Sequence, residues 1–343
     1  MEMRKHVLAN LLLLVLASLG AGLAVAQTAT DAELEEAYRL YRTAHFEDAI
    51  IKTTDLLTAG SLVKNQEARA LQILSLASIG RGYVEQAEAY LKKLIDLDPA
   101  IDLDPDEYPP QIMALWYKVR EGKPIPVDAQ GGTSKIETIA IMYFDNNSIV
   151  DHDDLDALSK GLASMMIYEV KKVSNLAVVE RDRINFLVDE LKLQQSDLVD
   201  KSTAVRIGKL VGAHTLLMGG FMKLSNDQFR IDARLVKVET GEIIKADFIE
   251  GKPKDVMKLE KDLVVKILAD LDIATSETET KEIMKGQDTS FDALYHYSRG
   301  LAYEDKKDYM AALQQYQKAL AIAPGYVEAE KKMSRLEPFA SQG

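Results

Sequence analysis

The spacing of apolar residues changes twice along this chain, and that change restricts its folds more than any other feature. From 31 to 120 the apolar positions recur every three or four residues. "AELEEAYRLYRTAHFEDAIIKTTDLL" puts Leu34, Ala37, Tyr38 and Tyr41 on one helical face, and Phe46, Ala49, Ile50 and Leu57 on the next. A second pair of stripes runs through "EARALQILSLASIGRGYVEQAEAYLKKLIDLDP", with small Ala87 among long apolar residues and Pro99 closing the helix. "QIMALWYKVREGK" adds one more helix, carrying Trp116, and reads as a cap over the helices before it. From 135 to 273 strand and helix signals alternate. Strands are expected at 137–144, 176–181, 214–224, 228–239 and 243–250, and helices at 153–172, 182–192, 201–211 and 254–271. The early strand–helix–strand order implies parallel crossovers. "SND" and "ETGE" are turn-sized, so the last three strands form an antiparallel meander. The expected fold is α/β plus all-α: a mixed sheet with helices on its faces and helical segments on both sides. Residues 121–134 and 274–290 read as linkers, and 291–337 returns to helical spacing.

The N-terminus carries a basic start, Arg4 to His6, then an apolar run from Val7 ending "AVA" at Ala24–Ala26. That pattern predicts a signal peptide over 1–26, cleaved so that the mature chain begins near Gln27 in the periplasm or at the periplasmic face of the outer membrane. An uncleaved anchor helix is the alternative. No other apolar stretch is long enough to span a membrane. With no cysteine there can be no disulfide, no lipid-bearing thiol and no thiol catalysis. The net charge of −12 repels phosphate backbones, so nucleic acid is not an expected partner.

The loop after the first strand holds Asp145, Asn146, Asn147, Asp151, His152, Asp153 and Asp154. No glycine falls at the sixth position of a calcium loop begun at Asp145 or Asp151. The plainer reading is a turn followed by a helix capped by Asp153. His6, His45, His152, His214 and His296 are scattered, and neither a nucleophile elbow nor a phosphate loop occurs. No catalytic, cofactor or metal residue is therefore predicted. Gly212 reads as a helix C-cap, Gly219–Gly220 as a strand irregularity, and Glu180 with Arg181 as a structural ion-pair network.

The two N-terminal helix pairs repeat at 38 residues, from Ala49 to Ala87, which resembles tetratricopeptide repeats with a short insertion. The tail "ALYHYSRGLAYEDKKDYMAALQQYQKALAIAP" resembles one such repeat more closely, through Gly300, Tyr303, Tyr309, Ala312, Tyr316, Ala319 and Pro324. His296 and Arg299 depart from the pattern. One repeat cannot bury its own face, so it must pack on this chain, on another copy or on a partner. In this family the first helix of each pair lines a ligand groove. The resemblance implies Leu34, Tyr38, Tyr41 and Arg42, then Arg69, Gln72 and Leu76, and in the tail Tyr297, Leu301, Glu304 and Asp305 as the binding face.

The central segments "IAIMYFDNNS", "LSKGLASMMIYEV", "LAVVERDRINFLVDELKLQQSDLVD", "STAVRIGKLVGAHTLLMGGFMKL" and "ARLVKVETGEII" resemble, in order, the curli production assembly/transport component (CsgG) family. The same shape occurs in the amino-terminal domain of TolB and in outer-membrane activators of peptidoglycan synthase. The resemblance implies a non-catalytic envelope protein that binds other envelope proteins or exported polypeptides, and homo-oligomers are one form this could take. The chain departs from the curli channel where two membrane hairpins and an aromatic constriction loop would lie. The expectation is a scaffold or adaptor in outer-membrane assembly or export. The alternatives are a subunit of a curli-like pore and a periplasmic regulator of a cell-wall enzyme.

Overall fold

The computed structural model describes residues 29–120, 137–192, 201–225, 227–285 and 290–340. The expected signal peptide and the expected 121–134 linker lie outside the described residues. The chain divides into two compact units: residues 29–102 with 119–120, and residues 103–118 with 137–340.

The first unit is two helical hairpins. Helix α1 (29–42) turns through Ala44, in the left-handed region at φ 60°, into α2 (Phe46–Thr58). Helix α3 (Lys64–Gly80) turns through Gly82, at φ 80°, into α4 (Val84–Leu97). Leu34 and Ala37 of α1 are buried against Ala70 and Ile73 of α3. A Cβ on Gly80 would lie 2.5 Å from the Phe46 ring, so only glycine lets α3 approach α2 this closely.

The second unit contains a five-stranded sheet: β1 (Glu137–Asn146), β2 (Leu176–Val179), β3 (Thr215–Ser225), β4 (Gln228–Lys237) and β5 (Ile243–Gly251), in the order β2-β1-β3-β4-β5. β1 runs parallel to β2 and β3, and β3, β4 and β5 form the antiparallel meander. The register of β1 on β3 shifts between Ile141 and Phe144, beside Gly219, where a Cβ would strike the Phe144 ring and the Asp232 carbonyl. The expected 153–172 helix is two, α6 (His152–Leu155) and α7 (Leu158–Val170). Then come α8 (Arg181–Glu190), α9 (Lys201–Val211) and α10 (Val256–Asp270). Gly212, at φ 74°, ends α9 as expected. The odd-numbered face of β4 (Phe229, Ile231, Ala233, Leu235) is buried, and α7 and α10 cover that side. α9 lies on the opposite face, where its Gly208 meets Leu216 and Val238.

Helix α5 (Pro110–Arg120) was expected to cap the N-terminal helices, but residues through Lys118 sit in the second unit. Fully buried Trp116 needs more apolar surface than a terminal cap offers, and Tyr117 packs its ring 5.8 Å from Phe186 of α8. The stretch 274–290, expected as linker, contains α11 (Glu277–Met284). A capping box starts it, with Ser276 Oγ accepting from Glu279 N–H, and Ile283 is fully buried. The tail forms α12 (Phe291–Asp305), α13 (Tyr309–Ile322) and α14 (Val327–Ala340).

α12 lies along α7 at a very close approach. A Cβ on Gly161 would fall 1.8 Å from Ser298 Oγ. Gly161→Ala therefore forces the two helices apart. It should cost about 1–3 kcal/mol in urea unfolding of the full chain, against less than about 0.5 kcal/mol for a surface change such as Lys318→Ala.

Candidate functional site

β2 ends at Val179, and the next three residues, Glu180, Arg181 and Asp182, turn directly into α8. A strand-to-helix corner at the end of a parallel strand points consecutive charged side chains out of the sheet. Here they are received by the C-terminal helices. Arg181 donates to Asp305 at 3.0 and 3.2 Å, to Asp182 at 3.3 Å and to Glu304 at 3.4 Å. Asp305 also accepts from Lys160 Nζ at 2.6 Å and from Asn185 Nδ2 at 2.8 Å. Arg335, on α14, donates to Asp182 at 3.0 Å, to Glu304, and to the carbonyls of Pro105 and Tyr108. Tyr316 donates to the other Glu304 oxygen at 3.0 Å. Lys171 reaches Glu180 at 2.7 Å and Asp106 at 3.6 Å, and Lys332 reaches Asp106 and Asp182 at 3.7 Å.

Five carboxylates, Asp106, Glu180, Asp182, Glu304 and Asp305, face Lys160, Lys171, Arg181, Lys332 and Arg335, and half-exposed Lys331 also reaches Asp106 at 3.6 Å. The side chains of Arg335 and Glu304 are 0% and 1% exposed, which no surface ion pair would be. The network was expected as a structural one of the surface kind; it is structural, but buried. Burial pushes the Asp305 carboxyl up, yet Arg181 and Lys160 outweigh it and hold the group below its usual range. Asp182 is held down likewise, by Lys332, Arg335 and Arg181 against the burial penalty. Glu180 is the exception: burial raises it more than Lys171 lowers it. The space left among these groups is about 20 Å³, room for one water and not for a substrate. The arrangement locks helices together.

Of the residues expected on a ligand groove, the four in the tail are occupied within the chain. Tyr297 pairs its hydroxyl with Ser164 of α7 at 2.8 Å, Leu301 is fully buried, and Glu304 and Asp305 belong to the network. The lone repeat needs cover for its apolar face and takes it from α7. In the N-terminal unit, Leu34, Tyr41 and Leu76 are buried, so they are packing residues. Tyr38, Arg42, Arg69 and Gln72 are half-buried, with the Arg69 guanidinium 4.3 Å above the Tyr38 ring. Sequence reasoning missed Lys332 and Arg335. The visible signal was their place on the apolar stripe of α14, between fully buried Ala329 and Leu336.

The acidic loop after β1 is closed by Asn146 at the end of β1 and by Lys223 of β3. Asn146 Nδ2 donates to the His152 carbonyl at 2.7 Å, and Lys223 donates to Asp151 at 2.5 Å. Asp153 does not cap a helix as expected; it lies exposed in the first turn of α6. A second buried group was not foreseen. Glu260 of α10 has no exposed surface, and neither carboxyl oxygen has a hydrogen-bond partner among the described residues, nor does the Tyr326 hydroxyl. Burial raises Glu260 well above its usual range, Glu169 and Glu328 add to this, and Lys261 and Lys172 oppose it.

Residues 130–228 match the family model of the curli production assembly/transport component CsgG. Residues 68–101, which form α3 and α4, and 293–326, which form α12 and α13, each match a tetratricopeptide repeat model. No curated protein matches the chain. Among solved structures, the LpoB C-terminal domain from Salmonella enterica is 19% identical over 36% of this chain and 87% of its own, with a TM-score of 0.27. Lipoprotein GNA1162 from Neisseria meningitidis is 12% identical over 40% of this chain and 99% of its own, at 0.29. LpoB of Escherichia coli, solved by NMR, is 16% identical over 38% and 78%, at 0.29. Likeness that weak carries nothing about partner or activity. The family matches place a CsgG-type α/β domain between tetratricopeptide repeats.

Two outcomes follow from the buried charges. Arg335→Met removes one side of a matched network and leaves Asp182 and Glu304 short of a cation, so urea unfolding should show a loss of about 3–5 kcal/mol. The pH dependence has opposite signs at two places. Asp182, Asp305 and Asp106 are depressed, so their stabilisation is present above the ordinary carboxylate range and lost as pH falls below that range through their lowered values. Glu260 is raised, so the cost of ionising it grows as pH rises above that range. Glu260→Met should gain about 1–3 kcal/mol and reduce the decline above the carboxylate range, leaving the part that raised Glu180 and Asp145 supply, with the acid decline unchanged in melts across pH.

Proposed function

We propose that the protein is an exported, non-catalytic adaptor of the cell envelope, located in the periplasm or at the periplasmic face of the outer membrane. It serves outer-membrane assembly or export of the curli type, and holds other envelope proteins or exported polypeptides on its N-terminal helical hairpins. The observation that carries the reading is the contrast between the repeats. The groove-side residues of the C-terminal repeat are filled by α7, whereas Tyr38, Arg42, Arg69 and Gln72 keep part of their surface in water. Tyrosine and arginine at a half-buried site are the residue types that most often anchor a partner.

The pore reading is less well supported. A barrel strand needs roughly nine to eleven residues with alternating lipid-facing positions. Among the described residues, 201–211 form helix α9, and β3 passes to β4 across the Ser225–Gln228 pair. Neither position holds such a hairpin.

Pull-down of crosslinked envelope complexes tests the adaptor. Tyr38→Ala with Arg42→Ala should weaken capture of the partner by about thirtyfold, roughly 2 kcal/mol. The double variant should lose about 2–3 kcal/mol of stability, because Tyr38 also packs on the Leu34–Ala70 cluster and against Tyr41 besides the Arg69 stack. Arg42→Ala alone should weaken capture by a protein that remains folded in a thermal melt. Undiminished capture by a folded double variant would move the binding surface to the α/β domain.

A further inference from the structure

The strand order places β1 between its two parallel neighbours. α7 carries the chain from β1 to β2 on one face of the sheet, and α9 leads into β3 on the other. In open α/β sheets, ligands collect where that winding reverses, outside the carboxyl ends of the strands. A crevice of about 310 Å³ opens at that junction, on the face that α9 leaves partly uncovered. This is the lower end of the range for small-molecule sites.

Its lining is chemically mixed. Asp145 and Asn147 come from the end of β1, Met218 and Met222 from β3, Arg234 from β4, and Lys201 opens α9. Gly220 has no side chain, so the Asn147 amide can lie over β3; a Cβ there would sit 2.7 Å from Asn147 Nδ2. Asp232 also borders the crevice, but Arg230 holds it with bonds of 2.6 and 3.0 Å. Asp145 and Arg234 differ from it. Neither side chain makes a hydrogen bond or ion pair among the described residues, although burial raises the Asp145 carboxyl against the pull of Arg234. A cationic end, an anionic group and an apolar thioether floor thus share one cavity.

We propose that this crevice binds a zwitterion of dipeptide size with an apolar side chain. Its carboxylate meets Arg234 and Lys201, its ammonium meets Asp145, and its side chain lies over Met218 and Met222. A guanidinium pairs a carboxylate with two parallel bonds, which a lone lysine cannot do. The proposal is independent of the adaptor reading, since it concerns a different unit and a different ligand.

Isothermal titration of the full-length protein tests it, with alanyl-leucine, N-acetyl-alanyl-leucine and alanyl-leucine amide as probes. The free dipeptide should bind, and blocking either end should weaken it by about tenfold or more, the size of one charge-assisted bond. Asp145→Asn should make binding indifferent to acetylation but not to amidation. Arg234→Gln should leave acetylation as costly as before and reduce the cost of amidation to what Lys201 alone supplies. Unchanged melting temperatures would show that both variants fold. No binding of the free dipeptide up to millimolar concentration would overturn the proposal. So would equal binding of all three probes, or affinity that both substitutions leave intact.

Discussion

Arg335 has no exposed side-chain surface, so its charge must be matched inside the protein. It is matched by Asp182, by Glu304 and by the carbonyls of Pro105 and Tyr108, and these groups come from three distant parts of the chain. One guanidinium thereby fixes the loop before α5, the corner after β2 and the helices of the terminal repeat in a single arrangement. Such networks are weak sources of stability, because removing charges from water costs about as much as their attraction returns. The Nε atoms of both Arg181 and Arg335 even lack a partner among the described residues. The free energy of docking comes from apolar contact instead. Leu294, Tyr297, Leu301, Tyr316 and Tyr326 are all 0–1% exposed. The charges decide where the repeat sits; the tyrosines and leucines decide that it stays.

This division explains what could be read in advance. The sheet was legible because its strands alternate or run apolar between turn residues, and a period of two survives any tertiary context. All five strands and their directions follow from that pattern and from connection length. α9 was legible for the complementary reason: Ala204, Ile207 and Val211 are buried at helical spacing, with Gly212 to stop the helix. The terminal repeat was legible because Gly300 admits the Tyr316 ring, where a Cβ would lie only 2.3 Å away.

What was not legible depends on contacts between elements far apart in sequence. α5 has the stripe of a capping helix, and nothing local says that Trp116 is buried in the second unit. α11 looks like linker because Glu277, Thr278, Glu279 and Thr280 are polar; one buried residue, Ile283, and one cap hold it. Glu304 and Asp305 read as groove residues because position in a repeat predicts the face, but not what covers that face. The charged residues on buried stripes were the missed clue. Glu260 lies four residues after Val256 and four before Val264, both fully buried, and Lys332 and Arg335 lie among buried Ala329 and Leu336. A charge at such a position announces either a partner across the interface or a shifted proton, and this protein uses both.

The groove of the C-terminal repeat therefore already has a ligand, the helix α7 of its own chain. Gly161 and Ser164 bring the backbone of α7 close, Lys160 supplies the cation for Asp305, and Ser164 meets the Tyr297 hydroxyl. Small residues, one charge and one hydroxyl make this contact within the chain. A segment tethered to its own binding face has an effective concentration that a free partner must overcome. Because α7 also covers the sheet through Leu158, Leu162, Met165 and Met166, it cannot leave without exposing that core. The C-terminal repeat is consequently a fixed part of the α/β unit.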